Sequence, residues 1–210
     1  MKKALLFTVA AIALSGCKIW VNPYNITAGM ELESVLVDGA QAEGEYDTEA
    51  MTFHDGTLSI DWGQGLQQFD FELHNKTEGT IRINWEKSTY VDITGEAKRV
   101  IHKGVKFVDM NKTIPSSNIA PKTKLTDIVL PADYVVYSYG WSQKNILSYN
   151  FANTKVAMEQ WCLVKGKKIQ IILAIEDKQT THEYAFTFVI NKRVFRDLRA
   201  EKILDLEDGC

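Results

Sequence analysis

The chain has 210 residues, 45% hydrophobic and 24% charged, with a formal net charge of −3. That much apolar material supports a real core, in one domain of the larger sort. Apart from Lys165 and Lys167-Lys168, no basic run exceeds two residues after Lys18, which excludes the clustered footprint that nucleic acid needs.

The first elements form an address. Lys2 and Lys3 precede an apolar run from Ala4 to Leu14, interrupted only by Thr8, and Leu14-Ser15-Gly16-Cys17 follows. A positive start, a short greasy centre and small residues make the layout of an export signal. The run is too short for a bilayer, which takes about 20 residues in a helix. Leu14-Ser15-Gly16-Cys17 resembles the lipobox of bacterial lipoproteins. The resemblance implies cleavage before Cys17, a diacylglycerol on its sulfur and an acylated amine, enough chains for a stable anchor. Lys18, not aspartate, follows the cysteine. In Gram-negative lipoproteins that pattern implies sorting to the outer membrane, facing the periplasm. The expected organisation is a signal peptide over 1–16, a lipidated tether over 17–29 with Trp20 near the lipid surface, and a single β-sandwich domain over 30–210.

Next comes a poorly periodic acidic stretch, with an edge strand around Val35–Val37 and a loop over Gly39–Glu49. Thr57–Trp62 reads as a strand after the Asp55-Gly56 turn. The clearest signal runs from Gln67 to Trp85. Phe69, Phe71 and Leu73 alternate with charged or polar residues, and Ile81, Ile83 and Trp85 do the same, which is the period of half-buried strands. Asn75–Gly79 between them reads as a hairpin loop. Pairing His74 with Thr80 would set Leu73 beside Ile81, Phe71 beside Ile83, Phe69 beside Trp85, and Glu72 beside Arg82 as a cross-strand charge pair.

Short strands are expected at Tyr90–Ile93, Ala97–His102 and Val105–Met110, with Gly95 and Gly104 at the turns. Pro115, Pro121 and Pro131 mark Thr113–Pro131 as a segment crossing between sheets, with Leu125–Leu130 its regular part. Further strands are expected at Tyr134–Tyr139, Ile146–Phe151, Val156–Val164, Lys168–Glu176 and His182–Ile190. Gly166 and Asp177–Thr180 supply the turns of the last pairs. Residues 193–206 allow a short C-terminal helix, although Arg193, Arg196 and Arg199 at its start and Asp205 and Glu207 at its end oppose the helix dipole. Short strands with a turn every ten residues or so indicate an all-β fold, an antiparallel two-sheet, immunoglobulin-like sandwich.

The piece Phe69-Asp-Phe71-Glu-Leu73-His-Asn75 followed by Ile81-Arg-Ile83 resembles a signature of small exported β-sandwich lipoproteins. The resemblance implies a fold and carries no activity. With Cys17 assigned to lipid, Cys162 and Cys210 remain, and in an oxidising compartment they are expected to pair; the alternative is two free thiols, with Cys162 inside a strand.

Catalytic and metal signatures are missing from the sequence. There is no Gly-x-Ser-x-Gly elbow and no His-Glu-x-x-His or Cys-x-x-Cys spacing, and His54, His74, His102 and His182 are widely separated. Those histidines are expected on solvated strand faces, and no cofactor or metal is expected. The segment Tyr134–Trp141 could instead form a binding surface. Tyr137, Tyr139 and Trp141 fall on one strand face, where aromatics can stack on sugar rings or anchor a partner; the alternative is that they fill the core. Gly140 favours a rim position. The function expected is a non-catalytic, lipid-anchored envelope module, held to the membrane through Cys17, that binds or assists another envelope protein. The alternatives are a carbohydrate- or peptidoglycan-binding module and a periplasmic hydrolase.

Overall fold

The computed structural model describes residues 24–147, 154–178, 180–197, 202–204 and 210. The strands in chain order are β1 (Tyr24–Val37), β2 (Ala40–Gln41), β3 (Glu45–Asp47), β4 (Thr52–His54), β5 (Leu58–Gln64), β6 (Phe69–Asn75), β7 (Ile81–Val91), β8 (Ala97–Ile101), β9 (Ser117–Ile119), β10 (Lys124–Pro131), β11 (Val135–Tyr137) and β12 (Trp141–Gln143). A helix, α1 (Thr154–Val164), follows, then β13 (Lys168–Glu176), β14 (Thr181–Asp197) and β15 (Lys202–Leu204). All the pairings are antiparallel. One large sheet runs β2-β1-β14-β13-β7-β8-β10-β6-β5-β4-β3, with β15 on β14 and β9 on β7, while β11 and β12 form a small second sheet.

The large sheet curls because both of its limbs have one apolar face to bury. In β6 the side chains Phe69, Phe71, Leu73 and Asn75 point inward, and in β14 Tyr184, Phe186, Phe188 and Ile190 do so. The two faces meet around Trp62. Its ring lies 5.2 Å from Phe71 and Phe186 and 5.5 Å from Phe188, and Phe69 lies 5.0 Å from Phe188. Each such side chain contributes about 1.5–3 kcal/mol by burial, and the ring pairs add about 0.5–1.5 kcal/mol each.

The expected hairpin over Phe69–Trp85 is replaced by an arch. β6 pairs with β5 and β10, whereas β7 pairs with β13, β8 and β9. The inward residues are those the alternation indicates, but Phe71 and Trp85 meet across the core at 6.4 Å instead of side by side. Glu72 therefore pairs with Lys124, and Arg82 with Glu176 at 2.7 Å. A period of two says which face is wet, and is silent about which strand lies alongside.

The proline-bearing segment does cross between the limbs. β9 lies on β7 and β10 on β6, and Leu130 and Pro131 pair with β8 to close the connection. β13 has the expected bounds, and Gly166 makes the preceding turn at φ +73°. β1 already begins at Tyr24, within the segment expected as tether, and follows β14 from Asp197 onward.

Four other expectations change. Val156–Val164 is helical: Trp161 is buried while its neighbours Cys162 and Leu163 are exposed, and Ala157, Met158, Glu159, Gln160 and Leu163 all favour a helix. Val105–Met110 holds a single 3₁₀ turn at Phe107–Asp109, because the adjacent apolar pair Phe107-Val108 breaks the strand period. The C-terminal helix is absent among the described residues, where β14 extends to Asp197 and β15 folds back on it. The strand expected at Tyr134–Tyr139 shortens to β11; Ile146 and Leu147 are buried without strand pairing, and the rest of Ile146–Phe151 lies outside the described residues.

Candidate functional site

The site grows from the β11–β12 hairpin. Its base is pinned to the body: the Lys144 N–H donates to Tyr134 O at 2.7 Å, Gln67 Nε2 to Gln143 O at 3.0 Å, and the Ile146 N–H to Leu66 O at 2.9 Å. Val135 is buried, and the Tyr134 ring packs on Tyr90 at 6.1 Å. From that base the ladder carries Tyr137 opposite Trp141, with Ser138–Gly140 as the turn.

The three aromatic candidates face outward and do not fill the core. Tyr137 is 67% exposed, Tyr139 fully so and Trp141 45%. They do not share one strand, as the spacing suggests; Tyr137 and Trp141 are a cross-strand pair with ring centroids 5.1 Å apart, and Tyr139 stands on the turn. Phe107 joins them, 6.0 Å from Trp141, and Val108 beside it is 69% exposed. Together Val105, Lys106, Phe107, Val108 and Trp141 outline a shallow depression of about 380 Å³. Sequence reading missed Phe107 and Val108 because it placed them in a strand; two adjacent apolar residues out of register were the available signal.

A deeper hollow of about 540 Å³ adjoins this ledge, shares Val105 and Lys106 with it, and reaches back to His102 and Ser117. It exists because β7 is unevenly covered. β8 pairs with Thr89–Val91 and β9 with Ile81–Ile83, so the loop between β8 and β9 must cover the stretch in between. Glu86 ties that loop down, accepting the Ile114 N–H and Arg99 Nη2, both at 2.6 Å. The Ile114 N–H first, and then Arg99, hold the Glu86 carboxyl below the usual glutamate range.

The floor is rigid. The His102 ring stacks on Trp85 at 4.5 Å, its Nδ1 lies 3.2 Å from Asp127 Oδ2, and Trp85 Nε1 donates to Ser117 Oγ at 2.9 Å. Asp127 Oδ1 also accepts the Lys103 N–H at 2.7 Å. His102 is thus packed, not solvated as expected. His54 lies 3.6 Å from Glu45, and His182 Nδ1 donates to Asp38 Oδ2 at 2.7 Å. Among the described residues no three histidines, cysteines or carboxylates gather as a metal site.

The wall carries Lys103, Lys106 and Lys112. Lys112 Nζ, 2.7 Å from Asp109 Oδ1, lowers the Asp109 carboxyl, with Lys106 adding to that field, and Asp109 in turn raises the Lys112 ammonium. Lys103 and Lys106 form no ion pair with a described residue. The lining itself thus carries three lysines and one acid, Asp109, while Asp127 and Glu86 behind it are taken up by His102, the Lys103 N–H and the Ile114 N–H.

Searches of protein-family models, curated proteins and solved structures find no match to this chain.

Cys162 on α1 is disulfide-bonded to Cys210, with Cα atoms 5.5 Å apart, which ties the last residue to the helix. Cys17 and the signal-like segment lie outside the described residues. No described helix is long and apolar enough to cross a membrane.

Proposed function

We propose that this chain is a non-catalytic, lipid-anchored binding module of the cell envelope. In this reading Cys17 carries the lipid, and the curled sheet serves as an immunoglobulin-like two-sheet sandwich. The aromatic hairpin is the face offered to another envelope component. The lipobox resemblance supports the anchor and, through Lys18, an outer-membrane position facing the periplasm. The observation that carries the binding role is the clustering of Tyr137, Tyr139, Trp141 and Val108, each at least 45% exposed, on one rim. Isolated exposed apolar residues are ordinary, but a contiguous aromatic patch marks an interaction surface. Tyr and Trp are also the side chains that most often dominate binding energy.

The test is site-directed photocrosslinking in the native envelope, with a photoreactive residue at Tyr139 and, as a control, at exposed Glu96. A discrete adduct from position 139 alone supports the reading. Identical adducts from both positions, or none from 139, refute it. Cys17→Ser should leave the membrane fraction; retention there would place the anchor elsewhere.

A further inference from the structure

We propose that the hollow behind the aromatic ledge receives the anionic group of an acidic saccharide whose ring lies on the ledge. This rests on the reading of the aromatic rim as a contact face and adds the chemistry of what it contacts. The charge pattern points to an anion: Lys103 and Lys106 carry ammonium groups unpaired with any described residue, and Lys112 answers the single acid on the wall, Asp109. An uncompensated pair of cations at a concave surface raises the local concentration of anions although the whole chain is net acidic.

The rest of the lining suits a hydroxylated ligand. Thr113, Ser116 and Ser117 line the same wall and can trade hydrogen bonds with sugar hydroxyls. Val105 and Lys106 border both the hollow and the ledge, so a carboxylate or phosphate held by the lysines leaves its sugar ring beside Phe107 and Trp141. Ledge and hollow are both open to solvent and neither encloses an acyl chain, which favours a saccharide over a lipid tail. The stacked His102–Trp85 pair and the Asp127 hydrogen bonds fix the loop that presents Lys103 and Lys106, so ordering costs on binding are small.

The experiment is calorimetric titration of the purified full-length protein with four probes. These are a hexameric oligogalacturonate, a phosphomannan oligosaccharide, neutral cellohexaose and phosphatidylglycerol vesicles. At least one acidic saccharide should bind, more weakly as salt rises and well above cellohexaose. Lys103→Ala/Lys106→Ala should weaken it about ten-fold or more, the effect of losing one charge-assisted hydrogen bond. Thermal melting of the variant should be unchanged, since both side chains are exposed. Unchanged affinity in the double variant, equal binding of cellohexaose, or binding of vesicles without either acidic saccharide overturns the proposal. Loss of binding in Trp141→Ala but not in the lysine variant also overturns it, while leaving the contact face intact. The reverse pattern supports the anion hollow and removes the ledge.

Discussion

Asn75 holds the arch between β6 and β7, and removing its side chain should cost about 3 kcal/mol. The residue is fully buried. Its Nδ2 reaches Gly79 O at 2.7 Å, Ile119 O at 3.0 Å and Ala120 O at 3.1 Å, and its Oδ1 accepts the Thr77 N–H at 2.9 Å and the Thr77 hydroxyl at 2.8 Å. Two amide hydrogens shared by three carbonyls, with two bonds accepted, amount to about four full hydrogen bonds at about 1 kcal/mol each. Water can reach Thr77 and Gly79 in Asn75→Ala and recovers about one of them. With a urea slope of about 2 kcal/mol/M, the unfolding midpoint should fall by about 1.5 M at constant slope. Asn75→Asp keeps the acceptor but sets a carboxylate against three carbonyl oxygens. It should be at least as damaging at neutral pH, and less so in acid, where protonation restores a donor. A loss below about 1 kcal/mol for Asn75→Ala would mean that the β9 and β10 ladders hold the arch without it.

The other expectations are quickly checked. Closing a loop of 48 residues, the Cys162–Cys210 bond should contribute about 4 kcal/mol, so Cys162→Ser/Cys210→Ser should melt well below the parent, and an unchanged midpoint would contradict this. The Glu176 carboxyl is lowered to about 2 by Asn84, Lys87 and Arg82. A depressed acid stabilises above its ordinary value of 4.5 and loses that as pH falls through about 2. Because Arg82 and Lys87 are half exposed, water screens the effect to about 1–2 kcal/mol, and Glu176→Gln should flatten the stability profile in that window. At Gly29 an added Cβ would lie 2.8 Å from Lys192 Cβ, beside a register shift in β1, so Gly29→Ala should destabilise by about 1–3 kcal/mol in the same urea assay. Tyr139→Ala should change stability by less than about 0.5 kcal/mol and yet abolish the crosslink from a photoreactive residue placed at Val108 on the same rim; a large loss of stability would mean Tyr139 is structural.

What the sequence showed and what it hid follow from the range over which each signal acts. Alternation is local, so the inward residues of β6 and of β7 as far as Trp85 were legible from it. Partnering is not local. The Phe69–Trp85 stretch has a favourable hairpin register, yet its two strands pair in different limbs, β6 with β5 and β10 and β7 with β13. α1 was hidden because Val156–Val164 is apolar and too short for a period of 3.6 to stand out against a period of two. Tyr137, Tyr139 and Trp141 were legible by spacing as candidates for one strand face, but their placement across a hairpin was not. Lys103, Lys106, Phe107 and Val108 were invisible as a site, because only the folding of one loop over β7 brings them beside the hairpin.

That loop leads to the least regular part of the sheet. On the β13 side, Ala174 pairs with Asn84 and Ile172 with Thr89, so the β7 residues between them bulge out of the ladder. On the other side β8 and β9 stop short of the same residues. Orphaned backbone groups there are met by side chains. Ser88 Oγ donates to Asn84 O at 2.8 Å and accepts the Ala174 N–H at 3.1 Å, and Asn84 Oδ1 takes the Glu86 N–H at 3.1 Å. A stretch that needs this much repair is costlier than a plain ladder, and bulges of this kind re-aim side chains next to functional sites. Here Trp85 keeps the inward phase of Ile81 and Ile83 and stacks under His102, while Glu86 on the other face reaches the Ile114 N–H. Those two contacts seat the loop that presents the lysines and Phe107 to the hairpin. The candidate site therefore sits over Trp85 and Glu86, the residues at which the β7 ladder breaks off on both sides.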